Sequence, residues 1–239
     1  MQTLGSLSTP YLMLVKEMKI SPDGSKIVYI SDESAGGVYQ LYSVNPNGTG
    51  RVKISHASPV AGGDVHSFKI TDDSSKVIFV ADTVSDGNNH LYVVDIGGGN
   101  LNPLLPAHPN PYSNIYNNEF SLNSTNVFFN ADLNDDDKYE YFTMGLDGSG
   151  FANTTPPMPP PAEELGTGFD QFAIGGDYIY FTARGYDSYI NDFHIYSYNS
   201  LTQTRVRLTE DINLASVNLS PDVEYSPESN RIFMYGDLF

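Results

Sequence analysis

The chain has 239 residues with 12 Lys and Arg against 29 Asp and Glu, a formal net charge of −17, and no cysteine. A field of that sign repels phosphate backbones and anionic headgroups, which argues against a nucleic-acid partner, and the missing thiols exclude disulfides, thiolate metal sites and a cysteine nucleophile. The 17 Tyr, 13 Phe, 21 Gly and 15 Pro suit short strands and tight turns, so the expected class is all-β.

In chain order, Gln2 to Leu7 is a candidate N-terminal strand. The apolar run Tyr11 to Val15 is too short for a membrane span or a signal-peptide core, and no basic region precedes it. Membrane insertion is therefore not expected. The first full unit reads as strand a (Val15 to Ile20), a Gly/Asp/Ser turn, strand b (Lys26 to Ile30), a longer loop, strand c (Gln40 to Val44), a Gly-rich turn and strand d (Arg51 to Ile54).

That unit repeats. KISPDGSKIVYISD (19 to 32) recurs as KITDDSSKVIFVAD (69 to 82) and EFSLNSTNVFFNAD (119 to 132), an offset of 50 residues each time. Asp32, Asp82 and Asp132 each lie nine residues before a second run, LYSV, LYVV and YFTM. A fourth copy, FAIGGDYIYFTAR (172 to 184), is shifted by two residues, and a fifth stops after RIFMYGD (231 to 237). The repeats span about 15–55, 65–105, 117–155, 170–209 and, in part, 216–239.

Four short antiparallel strands cannot bury both faces alone, so such units stack, and radial stacking gives a β-propeller. The b strands carry β-branched and aromatic residues on both parities, as sheets covered on both faces require. The expectation is one propeller domain over 1–239 with about four and a half blades. It is either incomplete or five-bladed, the latter if Gln2 to Leu7 closes the last blade; a β-sandwich is the structural alternative.

SPDGSKIVYISD and VAGGDVHSFKI (60 to 70) resemble the TolB-type, WD-repeat-like propeller repeats of bacterial exported proteins, a likeness running from about Met18 onward. It implies a periplasmic, cell-surface or extracellular setting. Later copies depart from SPDG, reading TDDS, SLNS and AIGG, with turn chemistry retained. The class spans many roles, so the resemblance implies a fold more than an activity.

In a propeller the b–c and d–a connections share one face. Here they are long and varied (32–39, 82–89, 132–140, 184–193 and the Pro-rich 154–168), whereas the a–b and c–d turns are short and Gly-rich. Binding is expected on the varied face, to a protein, peptide or glycan, with Tyr39, His90, Tyr139, Arg184, Tyr186 and Tyr189 as candidate contacts. All five His, His56, His66, His90, His108 and His194, fall in or beside these connections. In ADLNDDDKYE, the oxygens of Asp132, Asn134, Asp136 and Glu140 alternate as a Ca²⁺ loop would place them, without the glycine and twelfth-position glutamate of an EF-hand; a solvated acidic loop is the other reading. The recurrent Asp32, Asp82 and Asp132, with Asp237, read as turn caps.

No G-x-S-x-G elbow, Walker loop, dinucleotide fingerprint or His-Glu-x-x-His motif occurs. The expectation is a non-enzymatic binding or scaffolding propeller. The alternatives are a non-catalytic module of a larger exported hydrolase, or a glycan-active enzyme drawing on groups such as Asp136, Asp187 or His90.

Overall fold

The computed structural model describes residues 14–33, 37–56, 63–82, 87–105, 114–122, 125–133, 140–154, 172–175, 177–184, 193–199, 201–208, 217–226 and 231–238. Every regular element among them is a strand. β1 (Val15–Ile20), β2 (Ile27–Ser31), β3 (Gln40–Val44) and β4 (Val52–Lys53) form one antiparallel sheet in chain order. The same order holds for β5 (Val65–Ile70), β6 (Lys76–Ala81), β7 (His90–Asp95) and β8 (Asn102–Pro103), and for β9 (Ile115–Leu122), β10 (Asn126–Ala131), β11 (Glu140–Gly145) and β12 (Ala152–Asn153). It holds again for β13 (Phe172–Gly175), β14 (Tyr178–Arg184), β15 (Phe193–Asn199) and β16 (Thr204–Arg207). β17 (Val217–Ser226) and β18 (Arg231–Leu238), the a and b strands of the fifth repeat, pair as a two-stranded sheet. The expected closing strand at Gln2 to Leu7 lies outside the described residues.

The d strands are shorter than expected, two residues each in the first three sheets. The chain beyond them still bonds strand c: the amides of Ile54, Leu104 and Thr154 donate to the carbonyls of Leu41, Leu91 and Tyr141 at 2.9, 2.9 and 2.7 Å. Contacts gather the residues into two compact units, Met1–Gly87 with Tyr92–Asn102, and Asn88–Leu91 with Pro103–Phe239.

A row of large, mostly aromatic residues crosses each four-stranded sheet at one register. In the first it is Met18, Tyr29 and Tyr42, with the tyrosine rings stacked 5.4 Å apart. In the second it is Phe68, Phe79 and Tyr92, with Phe79 and Tyr92 stacked at 5.3 Å. In the third it is Phe120, Phe129 and Phe142, the last two at 5.8 Å, and in the fourth the register aligns Phe172, Phe181 and Tyr196. Side chains directly opposite on adjacent strands lie close enough for aromatic stacking, which ties strand register to the core. Within the first unit the two sheets share a buried cluster: Val28, Ile30, Leu41 and Ile54 of one meet Val65, Phe68, Phe79 and Tyr92 of the next.

The third row corrects the sequence alignment. The 50-residue offset sets Phe120 against Ile20 and Ile70, but Phe120 occupies the row position of Met18 and Phe68. The hairpin between strands a and b is two residues tighter here: Leu122 pairs with Val127, where Ile70 pairs with Val77. Strand a therefore slides by two residues, which preserves the side-chain face because strand periodicity is two.

The a–b turns show how the motif decays without loss of shape. Gly24 has φ 71° and Ser74, its counterpart, holds φ 60°, a conformation that costs a non-glycine residue about 1 kcal/mol. Ser74 Oγ accepts the Asp23 amide at 3.0 Å, so the residue that replaced glycine links two neighbouring turns. Asp23 Oδ1 accepts the Ser21 hydroxyl at 2.6 Å and the Ser25 amide at 2.9 Å, and these bonds hold its carboxyl down at about 2.

Candidate functional site

The opposite ends of the sheets, where the b–c and d–a connections emerge, are built on the recurrent aspartates. Asp32, Asp82 and Asp132 are 2, 4 and 2 % exposed. Each closes strand b onto the residue before strand a by a two-way bond. The amides of Asp32, Asp82 and Asp132 donate to the carbonyls of Leu14, Asp64 and Asn114 at 3.3, 3.2 and 3.3 Å. In return, the carboxylates accept the amides of Leu14 at 2.8 Å, Asp64 at 2.5 Å and Asn114. Asp82 does more, since its Oδ2 accepts the Gly87 amide at 3.0 Å and so ties down the end of the b–c loop.

The latch passes from repeat to repeat. Asp64 Oδ1 accepts the Tyr39 amide at 2.6 Å while the Tyr39 carbonyl accepts the Val65 amide at 2.9 Å. One repeat later, Asn114 Oδ1 accepts the Asn89 amide at 3.0 Å and the Asn89 carbonyl accepts Ile115 at 3.1 Å. A short oxygen-bearing side chain just before strand a thus joins the preceding strand c to the following strand b. The sequence reading of the aspartates as turn caps is refined: they fasten strands as well as turns. Asp64 and Asn114, which that reading missed, carry a signal in retrospect. They stand 50 residues apart, each 18 residues before its aspartate.

Of the candidate contact residues, Tyr39 is half-buried against the hydrophobic cluster, with the Lys16 ammonium 5.8 Å from its ring centroid. His90 opens β7, and burial lowers its pKa. Arg184 ends β14, its backbone paired with Phe193. Tyr139, Tyr186 and Tyr189 lie outside the described residues. His56 packs edge-on to Tyr92, centroids 4.7 Å apart, and burial lowers its pKa too. His66 Nε2 lies 3.5 Å from Asp82 Oδ1. His194 sits in β15 opposite Ala183, and His108 is outside the described residues.

Of the proposed calcium ligands, Asp132 is engaged with Asn114 and Glu140 accepts the Asn153 amide nitrogen at 2.7 Å. Asn134 and Asp136 lie outside the described residues. Among the described residues no cluster of three or more His, Asp or Glu has the geometry to hold a metal, and no helix is long and apolar enough to cross a membrane.

No protein-family model and no curated protein matches the sequence. Solved structures do match in fold. The β-propeller domain of the trilobed protease of Pyrococcus furiosus, described as having an open velcro topology, is similar with a TM-score of 0.57 at 11 % identity over 94 % of this chain. A puromycin-hydrolysing peptidase of Mycobacterium tuberculosis is similar at 0.54 and 11 % identity over 94 %, and a prolyl endopeptidase at 0.52 and 13 % over 92 %. This chain spans 64, 38 and 30 % of those chains. The protein is a β-propeller of four-stranded antiparallel blades.

Proposed function

We propose that this propeller is a TolB-type, non-enzymatic binding or scaffolding module that presents its b–c and d–a connections to a protein, peptide or glycan outside the cytoplasm. The observation that carries the reading is the asymmetry between the two ends of each blade. At one end the turns are short and closed by their own side chains. At the other, buried aspartates anchor the bases of connections that vary in length and composition, the arrangement by which a rigid scaffold offers adaptable contacts. The likeness to a protease propeller domain supports the second reading, a non-catalytic module of a larger exported hydrolase. A Ca²⁺ ion in loop 132–140 is a separable proposal, tested by calorimetric titration beside Asp136→Ala.

The main test screens the purified chain against a random-peptide display library and a glycan array, with a Tyr186→Ala, Tyr189→Ala double variant beside it. Ligands captured by the wild type and lost in the double variant are the expected result. Ligands that survive the double variant but are lost when the opposite turn is altered by Asn47→Arg would overturn the assignment of the face.

A further inference from the structure

The turn between β3 and β4 holds a reactive pair of residues that neither the core nor the proposed binding face uses. Two backbone bonds close it, from the Gly48 amide to the Asn45 carbonyl at 2.8 Å and from the Asn45 amide to the Thr49 carbonyl at 3.0 Å. Asn47–Gly48 is the one Asn-Gly pair in the sequence, and Asn47, Gly48 and Thr49 are all exposed. Gly48 holds φ 81°, and among the described residues a side chain there would meet no atom within 4 Å. With no Cβ on residue 48, nothing shields its nitrogen from the Asn47 side chain once the turn opens. Exposed hairpin ends open at the lowest cost in a fold.

The Asn47 side-chain amide is polarised toward attack. Its Oδ1 accepts the Thr49 backbone amide at 3.0 Å and the Thr49 hydroxyl at 2.7 Å, and that hydroxyl in turn accepts Asn45 Nδ2 at 3.1 Å. Two donors on one carbonyl oxygen, one of them within a hydrogen-bonded chain, stabilise negative charge that develops there. The described Asp-Gly turns differ in their electrophile. Asp147, in the same place before Gly148, accepts the Ser149 hydroxyl at 2.6 Å and the Ser149 amide at 2.9 Å, and these bonds lower its pKa. Asp23, before Gly24, is held at about 2 by Ser21 and Ser25. Both are ionised at neutral pH, and a carboxylate resists a nucleophile that the neutral Asn47 amide admits.

We infer that Asn47 is a site of spontaneous covalent modification, cyclising onto Gly48 to a succinimide that opens to aspartate and isoaspartate. The Gly48 nitrogen leaves the Asn45 carbonyl, gives up its proton and bonds to Asn47 Cγ. The Cγ–Nδ2 bond breaks, and the departing nitrogen takes up that proton to leave as ammonia. Water then cleaves one of the two imide C–N bonds, its hydroxyl going to carbon and its proton to nitrogen. Cleavage at Cγ yields aspartate, with a carboxylate placed as in the Asp147 turn. Cleavage at the main-chain carbonyl yields isoaspartate, which lengthens the backbone by one carbon and offsets the Asn45–Thr49 pair. Either product adds a negative charge at the end of the sheet away from the b–c and d–a connections.

Incubation of the purified chain at mildly alkaline pH, followed by proteolysis and mass spectrometry, tests this. The peptide containing Asn47 should exchange –NH2 for –OH, as separate aspartate and isoaspartate forms, before any change at Asn123–Ser124 or Asn199–Ser200. Thr49→Val, which deletes the hydroxyl donor on the exposed turn, should slow the reaction at least about threefold in the folded chain and leave it unchanged in urea. An Asn47 that stays intact, or reacts no sooner than those Asn-Ser pairs, overturns the inference. So does a Thr49→Val chain that reacts as fast as the wild type when folded, or that is slowed equally when unfolded.

Discussion

Asp82→Ala tests the latch where it is densest. Oδ1 of this buried carboxylate takes the Asp64 amide at 2.5 Å, and Oδ2 takes the Gly87 amide at 3.0 Å. Truncation removes two bonds to a charged acceptor, each of about 1.5–3 kcal/mol, and water reaching the partly exposed amides returns some of that. The expected loss is about 3 kcal/mol, or about 6–12 °C in the melting transition for a chain of this size. Asp82→Asn keeps one acceptor oxygen and should lose roughly half as much. Urea denaturation followed by circular dichroism measures both, and hydrogen exchange should speed up at the amides of Asp64 and Gly87 before it does at the β6 core. A loss below about 1 kcal/mol for the alanine variant, or an asparagine variant as damaged as the alanine one, would refute the two-bond argument.

The aromatic rows give a second comparison: Phe79→Ala, at a fully buried ring stacked on Tyr92, should cost about 3–5 kcal/mol, and Tyr29→Ala in the open first row less than about 2, read from the same urea curves. Stability should also fall as pH drops below the ordinary histidine value of 6.5. Burial lowers the pKa of His56 and of His90, so below 6.5 the unfolded chain takes up protons that the folded chain refuses until the lower folded pKa values are reached. Melting temperatures between pH 7 and 5 should show this slope, and a His56→Gln, His90→Gln variant should flatten it. The turn aspartates act lower. Asp23, held at about 2 by Ser21 and Ser25, contributes stability that is complete above the unfolded value of 3.8 and lost as pH falls toward 2, a loss that Asp23→Asn should remove from the acid melting profile.

Strands β1 and β3 fall where the periodic sequence placed them, and β2 is offset by one residue. The reason is physical: alternating apolar runs bounded by Asp, Ser and Gly leave a five-residue strand little freedom of register. The sliding of β9 escaped because it moves by two residues, the one displacement that leaves the side-chain face, and hence the apolar pattern, unchanged. The shortness of β4, β8 and β12 escaped too, since the amides of Ile54, Leu104 and Thr154 continue that edge outside the regular ladder and the sequence pattern does not distinguish the two.

Tyr39 shows why the site was harder to read than the fold. As a side-chain type it signals an interface anchor, yet its backbone amide and carbonyl are what Asp64 and Val65 engage. The latch requires only a short acceptor at 64 or 114 and a buried carboxylate at 82 or 132, so it is satisfied by Asp in one repeat and Asn in the next. The period of 50 residues stays visible in these anchors because the fold demands the bonds they make, while the connections of successive repeats share no common motif.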